Sequence, residues 1–375
     1  MRIAHTSDWQ LGFKSGTKTD ASGRNLRELD VIDQVRRTVD AIIEQEPDLV
    51  LIAGDVFHSA RPSNAVICDA QGVLARPFHS LRVGPIVVVA GNHDDPRTTD
   101  TVSPVRLLGG MCTIIADRMA RFATYDDCDI LAVPDTYVAR DAELQARGTA
   151  KYHLMVMHRG IQGVIPGHDR TGKHLAPDAL DPRWDLIALG DYHVQHQVRP
   201  NAWYCGAPDY ATSNVWGELI DEQARGIDGK GFMMHDLEKG THTFHHVANP
   251  ITHHDLHIDG MQRTAKQLGV DIGDALAMVP DPEHAIVRVT LTSALRQGAL
   301  HIAGSLKFRQ FRLNPIYTKR ATTDLQAMLS KPRAERPTLD ATVKAELDQR
   351  ALPAGMDRER FTSTALQYLA DALDQ

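Results

Sequence analysis

Short apolar segments and one long helical stripe alternate through the first half of the chain. Residues 3–6 read as a short strand, and residues 49–53 and 86–90 are unbroken apolar runs, as expected of strands buried on both faces. Between them, residues 26–44 place Leu29, Ile32, Val35, Val39, Ile42 and Ile43 at helical spacing. This alternation predicts an α/β layer fold. The apolar pattern resumes at 152–157 and 186–189, around a polar stretch, 162–183, rich in Gly, Pro and charge that predicts a long loop. From about residue 251 the rhythm changes. Residues 253–258, 285–292 and 307–312 read as strands and 261–278 as a helix, a small α+β module of about 70 residues. Residues 330–337 resemble a linker, and two helices are expected beyond it, broken at Leu352-Pro353-Ala354-Gly355. Phe361, Ala365, Leu366, Leu369 and Leu373 form one stripe there, which predicts docking on a partner or on the chain's own body. The predicted boundaries are 1–250, 251–322 and 323–375.

With 375 residues, 42% hydrophobic and 24% charged, the chain is expected to form two or three globular domains. The start, Met1-Arg2-Ile3-Ala4-His5, lacks the shape of a signal peptide, and no apolar run reaches membrane-spanning length, so a cytoplasmic location is expected. Cys68, Cys112, Cys128 and Cys205 form no close pair, which argues for reduced, structural thiols.

The formal charge of −7 opposes binding of nucleic acid through the overall field, so any such binding has to be local. The best local segment is Lys307-Phe308-Arg309-Gln310-Phe311-Arg312, continuing to Tyr317, Lys319 and Arg320, where cations and aromatics interleave. A solvated amphipathic edge strand would read the same way. Gly167-His168-Asp169-Arg170-Thr171-Gly172-Lys173 has phosphate-loop spacing, but His174 stands where Ser or Thr should hold magnesium, and no strand precedes it.

The chemistry concentrates in five stretches, each after an apolar run: Ser7-Asp8-Trp9-Gln10, Gly54-Asp55-Val56-Phe57-His58, Gly91-Asn92-His93-Asp94, Met157-His158-Arg159-Gly160 and Gly190-Asp191-Tyr192-His193. Carboxyl ends of strands are where open α/β sheets place ligands. Asp and amide oxygens with His nitrogens suit divalent cations, the ligand set of a two-metal phosphoesterase. Asp55 is the natural bridging carboxylate; Asp8, Gln10 and His193 would complete one metal's shell, and Asn92, His158 and Asp191 the other's. His93 is the candidate general acid, and His58 would steady the scissile phosphate or orient His93. Arg61, Pro62 and Ser63 would place a cation and a helix cap near the substrate, though an Arg in that position more often forms a surface salt bridge, and a lone Asp or His at a strand end is more often a cap or turn residue.

These motifs resemble the calcineurin-like metallophosphoesterases and, within them, the SbcD-type DNA double-strand-break repair nucleases. The resemblance is carried by His5-Thr6-Ser7-Asp8-Trp9, by Gly54-Asp55-Val56-Phe57-His58 continuing to Arg61-Pro62-Ser63, by Gly91-Asn92-His93-Asp94 and Met157-His158, and by Tyr204-Cys205-Gly206-Ala207-Pro208, over about residues 1–215. It implies a layered β-sandwich core flanked by helices, a small α+β capping module that recognises DNA, and a C-terminal helical segment that binds an SbcC-type coiled-coil ATPase. It also implies a homodimer and a Mn²⁺-dependent exonuclease and endonuclease, with two Mn²⁺ per site or Mg²⁺ in their place. Two positions depart from the family pattern, Gln10 and Asp191, each where the family has His. Three carboxylates then offset most of the charge of two divalent ions, which weakens Lewis acidity, favours oxygen-preferring ions or costs one metal. The alternatives to a nuclease are a weakened scaffold that binds DNA ends and an enzyme for a small phosphodiester.

Overall fold

Strand β1 (Arg2–Thr6) is followed by helix α1 (Leu26–Glu44), β2 (Leu49–Ala53), α2 (Asn64–Phe78), β3 (Ile86–Val89) and β4 (Thr113–Ile115), as seen in a computed structural model. The structure describes residues 1–80, 82–96, 101–116, 121–125, 127–135, 144–146, 148–164, 174–261, 263–294, 302, 304–317, 357–358 and 361–364. β1 to β4 lie side by side in chain order, all parallel. Asn25 caps α1, its side chain accepting from the Arg27 and Glu28 amides, and Ser63 caps α2, as its sequence position predicts.

A second sheet holds β5 (Arg121–Tyr125), β6 (Cys128–Val133), β7 (Tyr152–His158), β8 (Leu186–Gly190), β9 (His196–Arg199) and β10 (Ala202–Tyr204), in the order β5-β6-β7-β8-β10-β9. The chain then forms α3 (Val215–Arg225) and returns to the first sheet as β11 (Gly231–Asp236) and β12 (Thr241–His246), antiparallel beside β1.

The two sheets explain why β2 and β3 are apolar at every position. Val50, Ile52, Ile86 and Val88 face α1 and α2, meeting Val35, Val39, Ile42, Val73 and Leu74. Leu49, Leu51, Ala53, Val87 and Val89 point the other way, against Ile130, Leu154, Val156 and Leu186 of the second sheet. With both faces buried, alternation disappears. The fold is thus the expected layered α/β sandwich flanked by helices.

The small α+β module is a three-stranded sheet of β13 (Thr252–Asp259), β14 (Ala285–Ala294) and β15 (Gln310–Tyr317), with α4 (Ala265–Ala277). Two predicted bounds shift for local reasons. The helix starts later, because Thr264 forms a capping box with Gln267. The last strand starts at Gln310, because Gly304, at φ 79°, opens a 3-10 turn over Ser305–Lys307. By compactness the chain divides into one unit of Met1–Ile258, Thr264–Thr290 and Gly298–Asn314 and a second of Asp259–Arg263, Leu291–Gln297 and Pro315–Gln375. The phosphate-loop look-alike at 167–173, the linker at 330–337 and all of the tail stripe except Phe361 lie outside the described residues. Among the described residues no helix is long and apolar enough to cross a membrane.

Candidate metal centre

Four site residues adopt the left-handed backbone that L side chains disfavour: Asp8 at φ 54°, Gln10 at 51°, Asp55 at 51° and Asp191 at 100°. Strain of this kind persists only where the surroundings fix it. Here the loops after β1 and β2 clamp each other: the Asp8 amide donates to the Gly54 carbonyl, Gln10 to Asp55 and Leu11 to Val56, each at 2.9 Å. Close approach does the rest. A Cβ on Gly54 would sit 2.3 Å from His158 Nδ1, so only glycine lets the β2 and β7 loops meet at that point.

The clamped loops converge three buried ligand atoms. One atom each from Asp8, Asp55 and His158 lies within 4.8 Å of the others. Around His158 Nε2 stand Asn92 Oδ1 at 2.9 Å, Asp55 Oδ1 at 3.5 Å and Asp191 Oδ1 at 3.7 Å. On the other side, His193 Nε2 is 3.7 Å from Asp8 Oδ1. That oxygen is buried and, among the described residues, has no hydrogen-bond partner, while its twin Oδ2 accepts from Ser7 and from the Asp191 amide. Asp55 Oδ1 also accepts from the His93 amide at 2.9 Å.

The electrostatics suit a cation. His158 Nδ1 donates to the Ala53 carbonyl at 2.8 Å, which orients the ring so that Nε2 points at the carboxylates. Burial opposes charge on this imidazole, but Asp55, Asp8 and Asp191 outweigh it and raise its pKa to about 10. Carboxylates that so favour positive charge on the neighbouring ring would favour a divalent ion between them, and a buried carboxylate oxygen without a hydrogen bond is otherwise costly. These residues therefore fit the metal pair the motifs imply.

The other predicted residues are distributed around this centre. Gln10 lies between two of them: Nε2 donates to Asp55 Oδ2 at 2.7 Å, and Oε1 is 2.8 Å from His58 Nδ1. His58 and His93 are neighbours, with ring centroids 5.1 Å apart, and His93 Nδ1 is 2.8 Å from the His58 carbonyl. Arg61 is exposed. Of the basic segment, Lys307 and Arg312 are exposed, whereas Arg309 is turned inward onto Asp30 at 3.3 Å. Lys319 and Arg320 lie outside the described residues.

Two contributors carry no role in the sequence reading. Asp94, fully buried, accepts from the amides of Val56, Phe57 and Gly91 at 2.9–3.1 Å, tying the second loop to the third. Burial, then the Asp55 carboxylate, raise its pKa. Its place four residues into Gly-Asn-His-Asp was a usable signal. Glu218, on α3, is 2.8 Å from His193 Nδ1. Nothing local in the sequence marks it, since the contact spans 25 residues.

Comparison with known proteins gives the same direction. The sequence profile of the calcineurin-like phosphoesterases matches residues 1–195, just over half of the chain. The DNA double-strand break repair protein Mre11 of Methanococcus maripaludis is 32% identical over 249 residues, 63% of this chain and 63% of that protein. The protein of the same name from Methanocaldococcus jannaschii is 26% identical over 252 residues, with the same coverage of 63% on both sides. The chain thus spans somewhat less than two thirds of the length of these relatives.

Proposed function

The chain belongs to the calcineurin-like phosphoesterase family, and from that premise we propose that it is a metal-dependent phosphodiesterase that cuts DNA ends as exonuclease and endonuclease. The observation that carries the reading is the buried convergence of Asp8, Asp55 and His158, with one Asp8 oxygen that has no hydrogen-bond partner among the described residues. Asp8, His193 and Gln10 would hold one ion, Asn92, His158 and Asp191 the other, and Asp55 would bridge them. Two Mn²⁺, or Mg²⁺ in their place, would supply a hydroxide at neutral pH and charge stabilisation for the phosphorane.

The remaining groups have separate tasks. His93 anchors Nδ1 on the His58 carbonyl, so its other nitrogen is available to protonate the leaving oxygen. His58, held by Gln10, fixes that carbonyl and steadies the phosphate. Arg61 and the exposed Lys307 and Arg312 supply the local positive charge that a chain of net charge −7 lacks, with Lys319 and Arg320 continuing the segment. Relatives that bear the name of DNA double-strand break repair proteins support DNA as the substrate. The domain division at 250 and 322, an SbcC-type coiled-coil ATPase as partner of the C-terminal helices, and a homodimer belong to the same proposal.

One observation favours a second reading. The Gln10 amide presents a donor to Asp55 Oδ2, where a ligand oxygen is expected, so a scaffold that binds ends without cutting them is the competitor. Release of nucleotides from end-labelled linear DNA with Mn²⁺ decides between them, with Asp55→Ala as control. Cleavage that disappears in Asp55→Ala supports the nuclease. Binding without cleavage supports the scaffold.

A further inference from the structure

We propose that Glu218 is the positioning residue that fixes His193 for metal binding, an inference that rests on the reading of His193 as a ligand. The Glu218 carboxylate is held at both oxygens. Oε1 accepts from His193 Nδ1 at 2.8 Å, and Oε2 accepts from Lys230 Nζ at 2.8 Å. Lys230, whose side chain is 1% exposed, is itself fixed: its ammonium also reaches the His193 carbonyl at 2.8 Å and Glu222 Oε1 at 2.8 Å. Glu222 in turn accepts from the Tyr210 hydroxyl at 2.6 Å. One ammonium therefore grips both the backbone of His193 and the carboxylate that holds its ring.

The chemistry follows from the tautomer. A hydrogen bond from Nδ1–H to a carboxylate keeps the proton on Nδ1, leaves the lone pair on Nε2 and raises that nitrogen's basicity. Nε2 is the atom facing Asp8. Rotation of Glu218 away from His193 would break its contact with Lys230, so the ring is oriented before any cation arrives. α3 is anchored for this purpose at its start, where Trp216 packs on Ile251 and Ile286.

The test uses the full chain freed of metal, titrated calorimetrically with Mn²⁺. Glu218→Gln is expected to weaken one class of Mn²⁺ site by about 10- to 100-fold and leave the other unchanged. Because Glu218→Gln leaves the buried Lys230 ammonium with Glu222 as its one remaining carboxylate partner among the described residues, a Glu218→Ala/Lys230→Met variant removes the ammonium as well, and the same selective loss is expected. ¹⁵N shifts of the metal-free His193 ring, recorded at about pH 10 so that the ring is neutral, should report an Nδ1–H tautomer in the wild type and a mixture in that double variant. Undiminished affinity and an unchanged tautomer in both Glu218 variants, beside a His193→Ala variant that loses one Mn²⁺, would overturn the positioning role while leaving the metal reading intact. Full Mn²⁺ binding by His193→Ala would remove the ligand reading, and the proposal with it.

Discussion

Acidification should destabilise this protein in part through one histidine remote from any surface. His5, on β1, is fully buried and stacks on His235 of β11 with ring centroids 5.6 Å apart. His235 Nδ1 lies 2.8 Å from His242 Nδ1 on β12. Burial lowers the His5 pKa to about 3, against a smaller opposing contribution from the Leu189 carbonyl. His5 thus stays neutral in the fold through mild acid, whereas in the unfolded chain it takes up a proton below pH 6.5. The unfolded state binds the extra proton, so this contribution to stability is present above 6.5 and is lost as the pH falls toward 3. With a slope of up to about 1.4 kcal/mol per pH unit, His5 alone costs about 2 kcal/mol at pH 5. His158 and His193, raised to about 10 and about 9, work with the opposite sign, so the total is not the observable. The difference from His5→Leu is. Urea unfolding followed by tryptophan fluorescence, with chelator present, should show the wild type losing about 2 kcal/mol more than His5→Leu between pH 7.5 and pH 5. Parallel pH curves for the two proteins would refute the argument.

Three further outcomes can be checked directly. Arg27 and Asp209 form a bidentate pair at 2.9 and 2.8 Å, at 3% and 1% side-chain exposure. Arg27→Met strands the carboxylate and should cost about 3–5 kcal/mol in urea unfolding, while Arg27→Met/Asp209→Leu recovers most of it. Asp94→Asn replaces one of the two accepting oxygens by an NH2 group that faces at least one backbone donor; a loss of about 2 kcal/mol together with most Mn²⁺-dependent hydrolysis of bis(p-nitrophenyl) phosphate is expected, and wild-type rates would refute the loop-tying role. Gly54→Ala, at φ 92° and with a Cβ 2.3 Å from His158 Nδ1, should abolish tight Mn²⁺ binding measured by calorimetry while circular dichroism still shows a folded chain.

The order of strands and helices that supports the site was legible in the sequence because burial on both faces makes β2 and β3 apolar throughout, and one-sided burial gives α1 its stripe. The residue types of the candidate metal site at successive strand ends were legible for the same reason, since a strand's carboxyl end is fixed once the strand is. The pairing of the loops was not. Which oxygen of Asp8 lacks a hydrogen-bond partner among the described residues, that the Gln10 amide bridges Asp55 and His58, that Asp94 reaches back to the amides of Val56 and Phe57, and that Glu218 and Lys230 stand behind His193 all depend on contacts between residues 12 to 183 positions apart. Local pattern carries no record of such contacts. Arg309 makes the same point in reverse: its place in a basic run marks it for phosphate, yet packing turns it onto Asp30, 279 residues earlier in the chain. The layers and the kinds of candidate ligand could be read along the chain, because periodicity and residue chemistry are properties of short segments. Which atoms face one another could not, because that follows from how the two sheets and α3 close around the strand ends.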